Sequence, residues 1–474
     1  FLVKFKKDPE NESKDLITYK TIQDKVVEFK TLVLYIGYNP QVHTRYNSCR
    51  ILNENLTFEN SYSPAIFQPT KPYIKDIHYA HLPVVNGQVY TNDKTIILED
   101  NIVEFNYVKD EVICWNPLRV RDTLKPNDFV TATNVWDSIH NPVTLKMITT
   151  GEIDTKLDLY YFKSIKRGER KSKSLNDFHS FVKKDLIKSN MNGENNVLDL
   201  GVGKGGDLNH YIEGKANVLV GIDNVYDNLN NSENGLCNRL FSKSVDNRDN
   251  NLLTNSLMIW GNCEKNIINA DAGNDELHKY YLDIIYGNLT LDSINNSKLR
   301  QFYNIGNVSA GFGFDVVSSQ FAFHYFFKNL ETLDNCLNNI SKSLKTNGRF
   351  IGTCLDGKRV FDMLAINDNI GVTDLWNIEK KYDQTTFPNN DSSLGYVVNI
   401  FNESIGISIE EYLVNFDYLI EKAKTYNLEL VEINSFSSLF DKLSSVKEYG
   451  SMKKMSPELK EYSFLNNSFV FQKK

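Results

Sequence analysis

The chain has few cysteines, and none of them are paired at short spacing. Six occur in 474 residues: Cys49, Cys114, Cys237, Cys263, Cys336 and Cys354. This pattern excludes a zinc site built from closely spaced cysteine pairs. It favours reduced thiols in a cytosol-like compartment over a disulfide framework. No cluster of histidine and cysteine indicates a metal site, so none is predicted.

Long apolar runs and an excess of basic residues are also missing. No stretch of 18 or more apolar residues occurs, so the sequence predicts no membrane-spanning helix. There are 53 basic and 60 acidic residues, which give a formal net charge of −7. A nucleic-acid partner would therefore have to be contacted locally rather than over the whole surface. The length and a hydrophobic content of 41% predict about two or three domains with real cores.

The most informative segment is VLDLGVGKGGD, residues 197–207. An apolar run, a turn with four glycines and a helix-like segment follow one another, as in the first β-α step of a nucleotide-binding α/β domain. Gly201 and Gly203 allow a sharp turn and a close approach to a ligand because they have no Cβ. A second apolar run ends at Asp223, where a carboxylate can accept hydrogen bonds from ribose hydroxyls.

This segment leaves two cofactors open. Its glycines, with Gly206, also satisfy the dinucleotide pattern G-x-G-x-x-G, so an NAD enzyme fits them. Asp199 favours S-adenosylmethionine instead, because a carboxylate there suits a cationic methionine moiety and would repel a pyrophosphate. Lys204 and Asp207 add charge on both sides of the loop. A purely structural glycine turn is the third alternative.

Further blocks narrow the choice. They are FHSFVKKDLI at 178–187, FDVVSSQFAFHYFF at 314–327, IGTCLDGK at 351–358 and IEEYLVNF at 409–416. In this order and spacing the blocks resemble the RNA cap guanine-N7 methyltransferase family, over roughly residues 160–474. The resemblance implies an α/β class I (Rossmann-like) S-adenosylmethionine-dependent methyltransferase with a mostly parallel, doubly wound sheet. We predict its strands at 196–200, 217–222, 256–260, 314–318 and 349–354, and an antiparallel C-terminal strand at 468–472.

The resemblance also assigns the cofactor site. S-adenosylmethionine is the implied cofactor, and its binding residues are Lys183, Asp199, Gly201, Gly203, Lys204, Asp207, Asp223, Asn262 and Gln320. Asn262 stands where the family usually has an aspartate. Its amide can still hydrogen-bond the adenine edge.

The implied cap-guanine site consists of His324, Tyr325 and Glu411. A carboxylate facing N1 and N2 of guanine accepts two parallel hydrogen bonds that adenine cannot donate. The family's C-terminal tyrosine is missing, because Asn466 aligns with it, and Tyr462 or Phe464 is a candidate substitute. Two simpler readings stay open: a core role for His324 and Tyr325, and a helix N-terminus at Glu411.

Methylation of guanine N7 needs no general base, because the N7 lone pair is unprotonated near neutral pH. Positioning of the reactants and exclusion of water supply the rate. We therefore name no acid–base catalytic residue. The implied substrate is 5′-capped mRNA, and candidate partners are a small stimulatory subunit and the transcription machinery. The alternative function is a catalytically silent, methyltransferase-like RNA-binding module that stimulates a capping partner.

The N-terminal third alternates apolar and polar runs, which predicts a small β barrel. Residues 115–128, WNPLRVRDTLKPND, resemble the end of the OB-fold domain of capping guanylyltransferases. The resemblance implies that Arg119, Arg121 and Lys125 contact GTP phosphates. A solvated charged hairpin is the alternative. The nucleophile motif K-x-D-G of that family does not occur, so we expect no guanylyl transfer.

We therefore predict three regions. Residues 1–150 form an OB-fold tail of a guanylyltransferase, 151–175 a basic linker, and 176–474 the methyltransferase domain. The basic run 163–173 can either follow phosphates or serve as a solvated linker. This order of modules resembles the multifunctional capping enzymes of large cytoplasmic DNA viruses and related linear plasmids. It implies action in a host cytoplasm or virion, and the absence of a starting methionine suggests a piece of a longer polypeptide.

Overall fold

The structure is a computed structural model. It describes residues 1–9, 11–22, 25–38, 48–54, 63–69, 74, 76–109, 113–123, 125–142, 145, 149, 171–231, 234–246, 255–372, 374–403, 406–444 and 452–474. The chain divides into two compact units, one of residues 1–46 and 57–154, the other of residues 47–56 and 155–474. The predicted basic run 163–173 lies outside the described residues except for its last three positions.

The first unit is built on antiparallel strands. They are β1 (Leu2–Phe5), β2 (Lys7–Asp8), β3 (Asn11–Asp15), β4 (Ile17–Ile22), β5 (Lys25–Tyr38), β6 (Ser63–Ile66), β7 (Tyr79–Pro83), β8 (Ile102–Tyr107) and β9 (Trp115–Arg121). The order β4-β5-β1-β8-β9 forms the main sheet, with β6 and β7 also paired to β5, while β2 and β3 pair separately. Helix Phe129–His140 begins at Asp128, whose carboxylate accepts a hydrogen bond from the Thr131 amide. The predicted β-rich character is confirmed, and the OB-fold itself stays a prediction.

The second unit contains a seven-stranded sheet in the order β12-β11-β10-β13-β14-β20-β19. Its strands are β10 (Asn196–Leu200), β11 (Val218–Asp223), β12 (Ser256–Trp260), β13 (Phe314–Gln320), β14 (Leu344–Leu355), β19 (Leu428–Ser435) and β20 (Asn466–Lys473). Strands β10 to β14 are parallel and β20 is antiparallel to β14, as predicted. The strand order reverses between β11 and β13 on either side of β10, which opens a crevice at their carboxyl ends.

Helices cover both faces of this sheet because its strands are apolar on both sides. Leu198 and Leu200 of β10 belong to one core cluster, whereas Val197 belongs to another. The helices of the unit are Ser48–Glu54, Lys173–Ser189, Leu208–Glu213, Tyr226–Asn230, Leu236–Asp246, Glu276–Tyr286, Ser297–Arg300, Leu330–Ser343, Gly357–Leu364, Phe416–Lys424, Phe436–Ser444 and Pro457–Ser463. The predicted doubly wound α/β fold is therefore confirmed.

A four-stranded antiparallel sheet was not predicted. It consists of β15 (Asn369–Val372), β16 (Trp376–Lys380), β17 (Val397–Asn402) and β18 (Ser408–Tyr412). Buried and half-buried positions alternate along β17, as expected of a strand with one face on a core. Glu411 lies within β18, so the alternative of a helix N-terminus at this residue is wrong. The helix begins only at Phe416, after the Asn415 cap.

The short helix Ser48–Glu54 is part of the second unit, although the chain before and after it belongs to the first, and nothing in the sequence pattern indicates it. The side-chain amide of Asn53 donates to the Met258 carbonyl at 2.6 Å and accepts from the Met258 amide at 2.8 Å. Met258 lies in β12, which is the edge strand of the seven-stranded sheet. Asn53 therefore satisfies backbone groups that an edge strand leaves unpaired.

Cys49, on the same helix, forms a disulfide with Cys237, with 5.1 Å between the Cα atoms. The prediction that all six thiols are reduced is wrong for this pair. The two cysteines are 188 residues apart in the sequence and meet because helix Ser48–Glu54 packs in the second unit. A search for closely spaced cysteines therefore cannot find this pair. The cysteine pattern thus no longer supports a cytosol-like compartment. The other four cysteines form no disulfide.

Candidate active site

The glycine loop connects β10 to helix Leu208–Glu213. Gly201, Gly203 and Gly205 have φ angles of +86°, +56° and +69°, a region that favours glycine. A Cβ on Gly201 would also lie 2.6 Å from the Cβ of Ala322. The loop thus needs glycine for its backbone conformation and, at Gly201, for close packing.

Asp223 ends β11 and holds the loop in place. Its carboxylate accepts hydrogen bonds from the Gly203 amide at 2.7 Å, the Val225 amide at 2.9 Å and the Asn228 side chain at 3.0 Å. Burial raises the pKa of Asp223, and these donors oppose that rise. Because an ionised carboxylate offers about four acceptor positions, one remains for a ligand hydroxyl.

A cavity of about 580 Å³ opens over this loop at the carboxyl ends of the parallel strands. Eight of the nine predicted cofactor residues line it: Lys183, Gly201, Gly203, Lys204, Asp207, Asp223, Asn262 and Gln320. The structure therefore brings together residues from five separate parts of the second unit.

Asp199, the ninth, is not among the lining residues. Its side chain is buried and accepts a hydrogen bond from the Tyr211 hydroxyl at 2.8 Å. Burial, followed by the nearby charge of Asp207, raises the pKa of Asp199 to about 8. The structure thus places Asp199 behind the loop, where it pairs with a tyrosine that the motifs did not identify.

Charged and amide side chains form the walls of the cavity. The Lys183 ammonium lies 2.6 Å from Asp207, which joins helix Lys173–Ser189 to the end of the glycine loop. The Lys204 ammonium donates to the Asn234 side chain at 2.9 Å, and the Arg239 guanidinium donates to the Lys204 carbonyl at 2.6 Å. Asn234 and Arg239 lie in an asparagine-rich region without a motif, so sequence patterns could not single them out.

Gln320 and Asn262 are fixed by their own neighbours. Gln320 donates to the Ser318 hydroxyl at 3.0 Å and accepts from Thr353 at 3.1 Å. The Asn262 side chain accepts from the Glu264 amide at 2.9 Å, which leaves its NH₂ group directed away from that bond. Both amides are therefore held in one orientation at the strand ends.

A second cluster adjoins the cavity through Tyr325, which lines it. The ring of Tyr325 lies 4.2 Å from that of His324, and His324 Nδ1 lies 3.4 Å from Glu411 Oε2. His324 belongs to the 3-10 helix Phe323–Lys328 and Glu411 to β18, so two separate elements create the pair. The three predicted guanine-binding residues are thus brought together.

Burial sets the charge of this pair. It lowers the pKa of His324 to about 3 and raises that of Glu411 to about 8. When Glu411 is ionised, a neutral His324 with Nδ1 facing the carboxylate carries its proton on Nδ1, and Nε2 is then an acceptor. Nε2 is buried and has no hydrogen-bond partner among the residues that the structure describes. A buried acceptor without a partner is a position for a ligand donor.

Comparison with known proteins decides the family. Residues 160–468 match the family model described as the mRNA (guanine-N(7))-methyltransferase domain. The chain belongs to this family. Residues 40–149 match a second model, the mRNA capping enzyme C-terminal domain.

Relatives with both kinds of name are similar to this chain. A probable mRNA-capping enzyme of Acanthamoeba polyphaga mimivirus is 26% identical over 98% of this chain and 40% of its own length. An mRNA-capping enzyme of African swine fever virus is 25% identical over 79% of this chain and 39% of its own. The mRNA cap guanine-N(7) methyltransferase of Saccharomyces cerevisiae is 24% identical over 60% of this chain and 57% of its own. The chain thus spans about two fifths of the viral relatives.

The cavity fits S-adenosylmethionine, the cofactor of this methyltransferase family. Asp223 would offer its remaining acceptor position to a ribose hydroxyl, and Asn262 would offer an amide to the adenine edge. Gln320, at the end of β13, lines the same cavity. Asp207 and Lys183 supply opposite charges in the cavity lining, which would suit the amino and carboxylate groups of the cofactor.

Asn466, which aligns with the family's C-terminal tyrosine, and its neighbours Tyr462 and Phe464 make contacts within the second unit. The Asn466 amide donates to the Ser463 carbonyl at 3.0 Å and so satisfies the end of helix Pro457–Ser463. The Tyr462 ring packs 5.3 Å from that of Trp376, and the Phe464 ring lies 5.5 Å from that of Phe440. These contacts favour a structural role for all three, and the substitution of the tyrosine by Tyr462 or Phe464 stays a prediction.

The predicted phosphate contacts of the first unit lie on an exposed hairpin. Arg119 and Arg121 both contact Glu104 Oε2 at 2.9 Å, and hydrogen bonds from Arg119 and then Arg121 lower the pKa of Glu104. This is the arrangement expected of the solvated charged hairpin. A phosphate role for these arginines and for Lys125 stays a prediction.

The described part of the chain contains no group of three or more histidine, cysteine, aspartate or glutamate side chains placed to hold a metal ion. Within the same residues, no helix has the length and apolar content needed to cross a membrane.

Proposed function

We propose that this chain transfers a methyl group from S-adenosylmethionine to N7 of the 5′ cap guanine of mRNA. The observation that carries the proposal is the pair of buried His324 and half-buried Glu411 next to cavity-lining Tyr325. A cofactor site alone would fit many methyltransferases. A half-buried carboxylate beside a buried imidazole nitrogen without a partner among the described residues favours a nucleobase that donates hydrogen bonds.

Glu411 would read the guanine. Its carboxylate can accept from N1–H and N2–H together, and adenine lacks that pair of donors. Burial raises the pKa of Glu411 to about 8 in the free protein, so bound guanine donors would favour the ionised form. His324 Nε2 would accept from a further donor on the cap nucleoside.

Rate enhancement would come from placement. S-adenosylmethionine supplies an electrophilic methyl group on a sulfonium. The chain's residues hold the two ligands at fixed positions and exclude water between them, which requires no proton transfer to or from a side chain. The hydrogen bonds that hold Gln320 and Asp223 reduce the reorganisation needed at the site.

The proposal is tested by incubating the chain with radiolabelled methyl donor and short RNAs capped with GpppG or GpppA. Both RNAs should release a labelled N7-methylated cap dinucleotide after nuclease digestion, and RNA whose cap is already N7-methylated should release none. Label on an internal nucleotide, or no label with full donor binding, would contradict the proposal. The second result would support the silent binding module.

We also propose capped mRNA as the physiological partner and the host cytoplasm or virion as the place of action. Support comes from the names of the viral relatives, which describe mRNA-capping enzymes. A small stimulatory subunit or the transcription machinery stays a candidate partner. Co-purification of the tagged chain from infected cells, with and without nuclease, would test this.

A further inference from the structure

One side of the sheet in the first unit combines lysines with aromatic rings. Strand β5 buries Leu32 and Leu34 in the core of the unit. Because successive side chains of a strand point to opposite faces, Val33 and Tyr35 lie on the other side of the sheet. This outer side of the sheet is formed by β5 together with β1 and β4 on one edge and β7 on the other.

The strand register places three lysines along one flank of the outer side. Lys4 of β1 is opposite Val33. Lys6 follows the end of β1, and its backbone amide donates to the Thr31 carbonyl of β5 at 2.8 Å, which continues the pairing to this residue. Lys20 of β4 is opposite Val27, which shares the face of Val33. On the other flank, β7 places Tyr79 opposite Val33.

Each lysine lies near an aromatic ring. The Lys6 ammonium is 4.1 Å from the centroid of Tyr79, Lys20 is 5.7 Å from Phe29 and Lys4 is 5.8 Å from Tyr35. We call these six residues the lysine–aromatic face. Its lysines and tyrosines are half-buried, so they keep exposed surface, whereas Phe29 is buried beneath them.

The charge on this face is mainly positive. Burial lowers the pKa of His81 in β7, and the positive charges of Lys20 and Lys6 lower it further, as expected when both ammonium groups lie near this imidazole. Asp76 opposes them at His81, and Asp100 lies 3.7 Å from Lys4 in an exposed ion pair. Exposed pairs of this kind are weak and can exchange for another anion.

Ammonium groups in a row beside aromatic rings suit single-stranded nucleic acid. Lysines two residues apart on one strand repeat at about 6.7 Å, which lets them contact successive phosphates of an extended strand. Rings on the sheet surface can stack with the bases, an interaction that tolerates any sequence because every base has a π-face. An apolar protein partner would instead need the rings uncovered.

We propose that the lysine–aromatic face binds unpaired RNA without sequence preference. This site lies within the first unit and is independent of the methyl-transfer proposal. The lysines that rest on the rings in the free protein would turn to phosphates when bases stack on Tyr35 and Tyr79.

The test uses the full chain and a fluorescein-labelled, uncapped 15-nucleotide oligouridylate, with binding followed by anisotropy and no methyl donor present. Replacing Lys4, Lys6 and Lys20 by alanine should weaken binding at least about tenfold. It should also make the slope of log K against log salt shallower by about 2, since each phosphate contact of a single strand contributes about 0.7. Tyr79→Leu should weaken binding at fixed salt and leave the slope unchanged, because stacking releases no counterions.

Two variants of the same unit serve as controls. Lys109→Ala removes an exposed lysine and Tyr90→Leu a half-buried tyrosine, both outside the face. Neither should change affinity beyond twofold. Equal losses in the controls, unchanged affinity in the triple variant, or equally tight binding of a duplex of the same length would overturn the proposal.

Competition with polyglutamate distinguishes RNA from an acidic protein as the partner. If polyglutamate at the same concentration of charges displaced the RNA completely, the proposal would be overturned. If circular dichroism shows that the triple variant is unfolded, the Tyr79→Leu variant decides instead. Weaker binding with an unchanged salt slope would support the proposal, and unchanged binding would overturn it. Because the RNA is uncapped, a failure of the methyltransferase proposal would not alter this reading.

Discussion

His324 Nδ1 and Glu411 Oε2 lie 3.4 Å apart. His324 belongs to the 3-10 helix that follows β13 of the seven-stranded sheet, whereas Glu411 belongs to β18, an edge strand of the four-stranded sheet. When Glu411 is ionised, the contact places the imidazole proton on Nδ1, and Nε2 can then accept a hydrogen bond. It therefore links the carboxylate that we propose reads the guanine to the segment that carries Tyr325 into the cavity.

Glu411→Gln should harm cap recognition and spare donor binding. Glutamine keeps the size of the side chain but turns one acceptor into a donor, which then faces the guanine N2 amine. We expect the KM for capped RNA to rise about tenfold or more, with the Kd of S-adenosylhomocysteine changed less than twofold. Glu410→Gln, at the exposed neighbouring position, is the matched control. Equal kinetics in the two variants would mean that another group reads the guanine.

The activity should depend on the ionisation of Glu411. Burial raises the pKa of this carboxyl to about 8 in the free protein, and only the carboxylate accepts both guanine donors. The kcat/KM for capped RNA should therefore rise with pH toward about 8 and level off above it, because this ratio reports groups of the free enzyme. The Glu411→Gln variant should lack this rise. A wild-type profile that falls between pH 6 and 8 would contradict the assignment.

Asp223→Asn should weaken binding of the methyl donor while the fold survives. Asparagine keeps one acceptor but loses the charge that strengthens the hydrogen bonds to ribose hydroxyls and to the Gly203 amide. The expected loss is about 2–4 kcal/mol in calorimetric titration with S-adenosylhomocysteine. NAD should show no binding to either protein. Asp362→Asn, on an exposed helix position, should bind normally. Retained donor affinity in Asp223→Asn would remove this residue from the site.

The chain should form no covalent adduct with GTP. Guanylyl transfer in the capping family uses a lysine–GMP intermediate, and K-x-D-G does not occur in this sequence. Incubation with radiolabelled GTP and a divalent metal, followed by denaturing electrophoresis, should leave the protein band unlabelled. A labelled band at 54.5 kDa would show that a nucleophilic lysine lies elsewhere in the chain.

Asn53→Ala should destabilise the second unit. The substitution leaves the buried backbone groups of Met258 without their side-chain partners, which costs about 1–3 kcal/mol. Chemical unfolding followed by circular dichroism measures the change. Asn92→Ala, at an exposed turn, should shift the unfolding free energy by less than about 0.5 kcal/mol. Equal stability of both variants would show that water replaces Asn53 at the strand edge.

Local sequence patterns predict those parts of the site whose conformation depends on one short segment alone. The glycine loop needs positive φ values, so its composition is visible in the sequence, and the five parallel strands are apolar runs bounded by turns. Glu411 was assigned by resemblance, yet its strand was missed because two glutamates before an apolar run look like a helix start. Asn228 and Tyr211 act on Asp223 and Asp199 through tertiary contacts, and no periodicity encodes such partners.

The helix Ser48–Glu54 changes what counts as the methyltransferase domain. A shortened chain that began after residue 154 would retain every cavity-lining residue but would lose Asn53 and the disulfide partner of Cys237. It would also expose the edge of β12, and exposed sheet edges promote association between molecules. A single cut therefore cannot separate the second unit from the first, because residues 57–154 of the first unit lie between the two parts of the second.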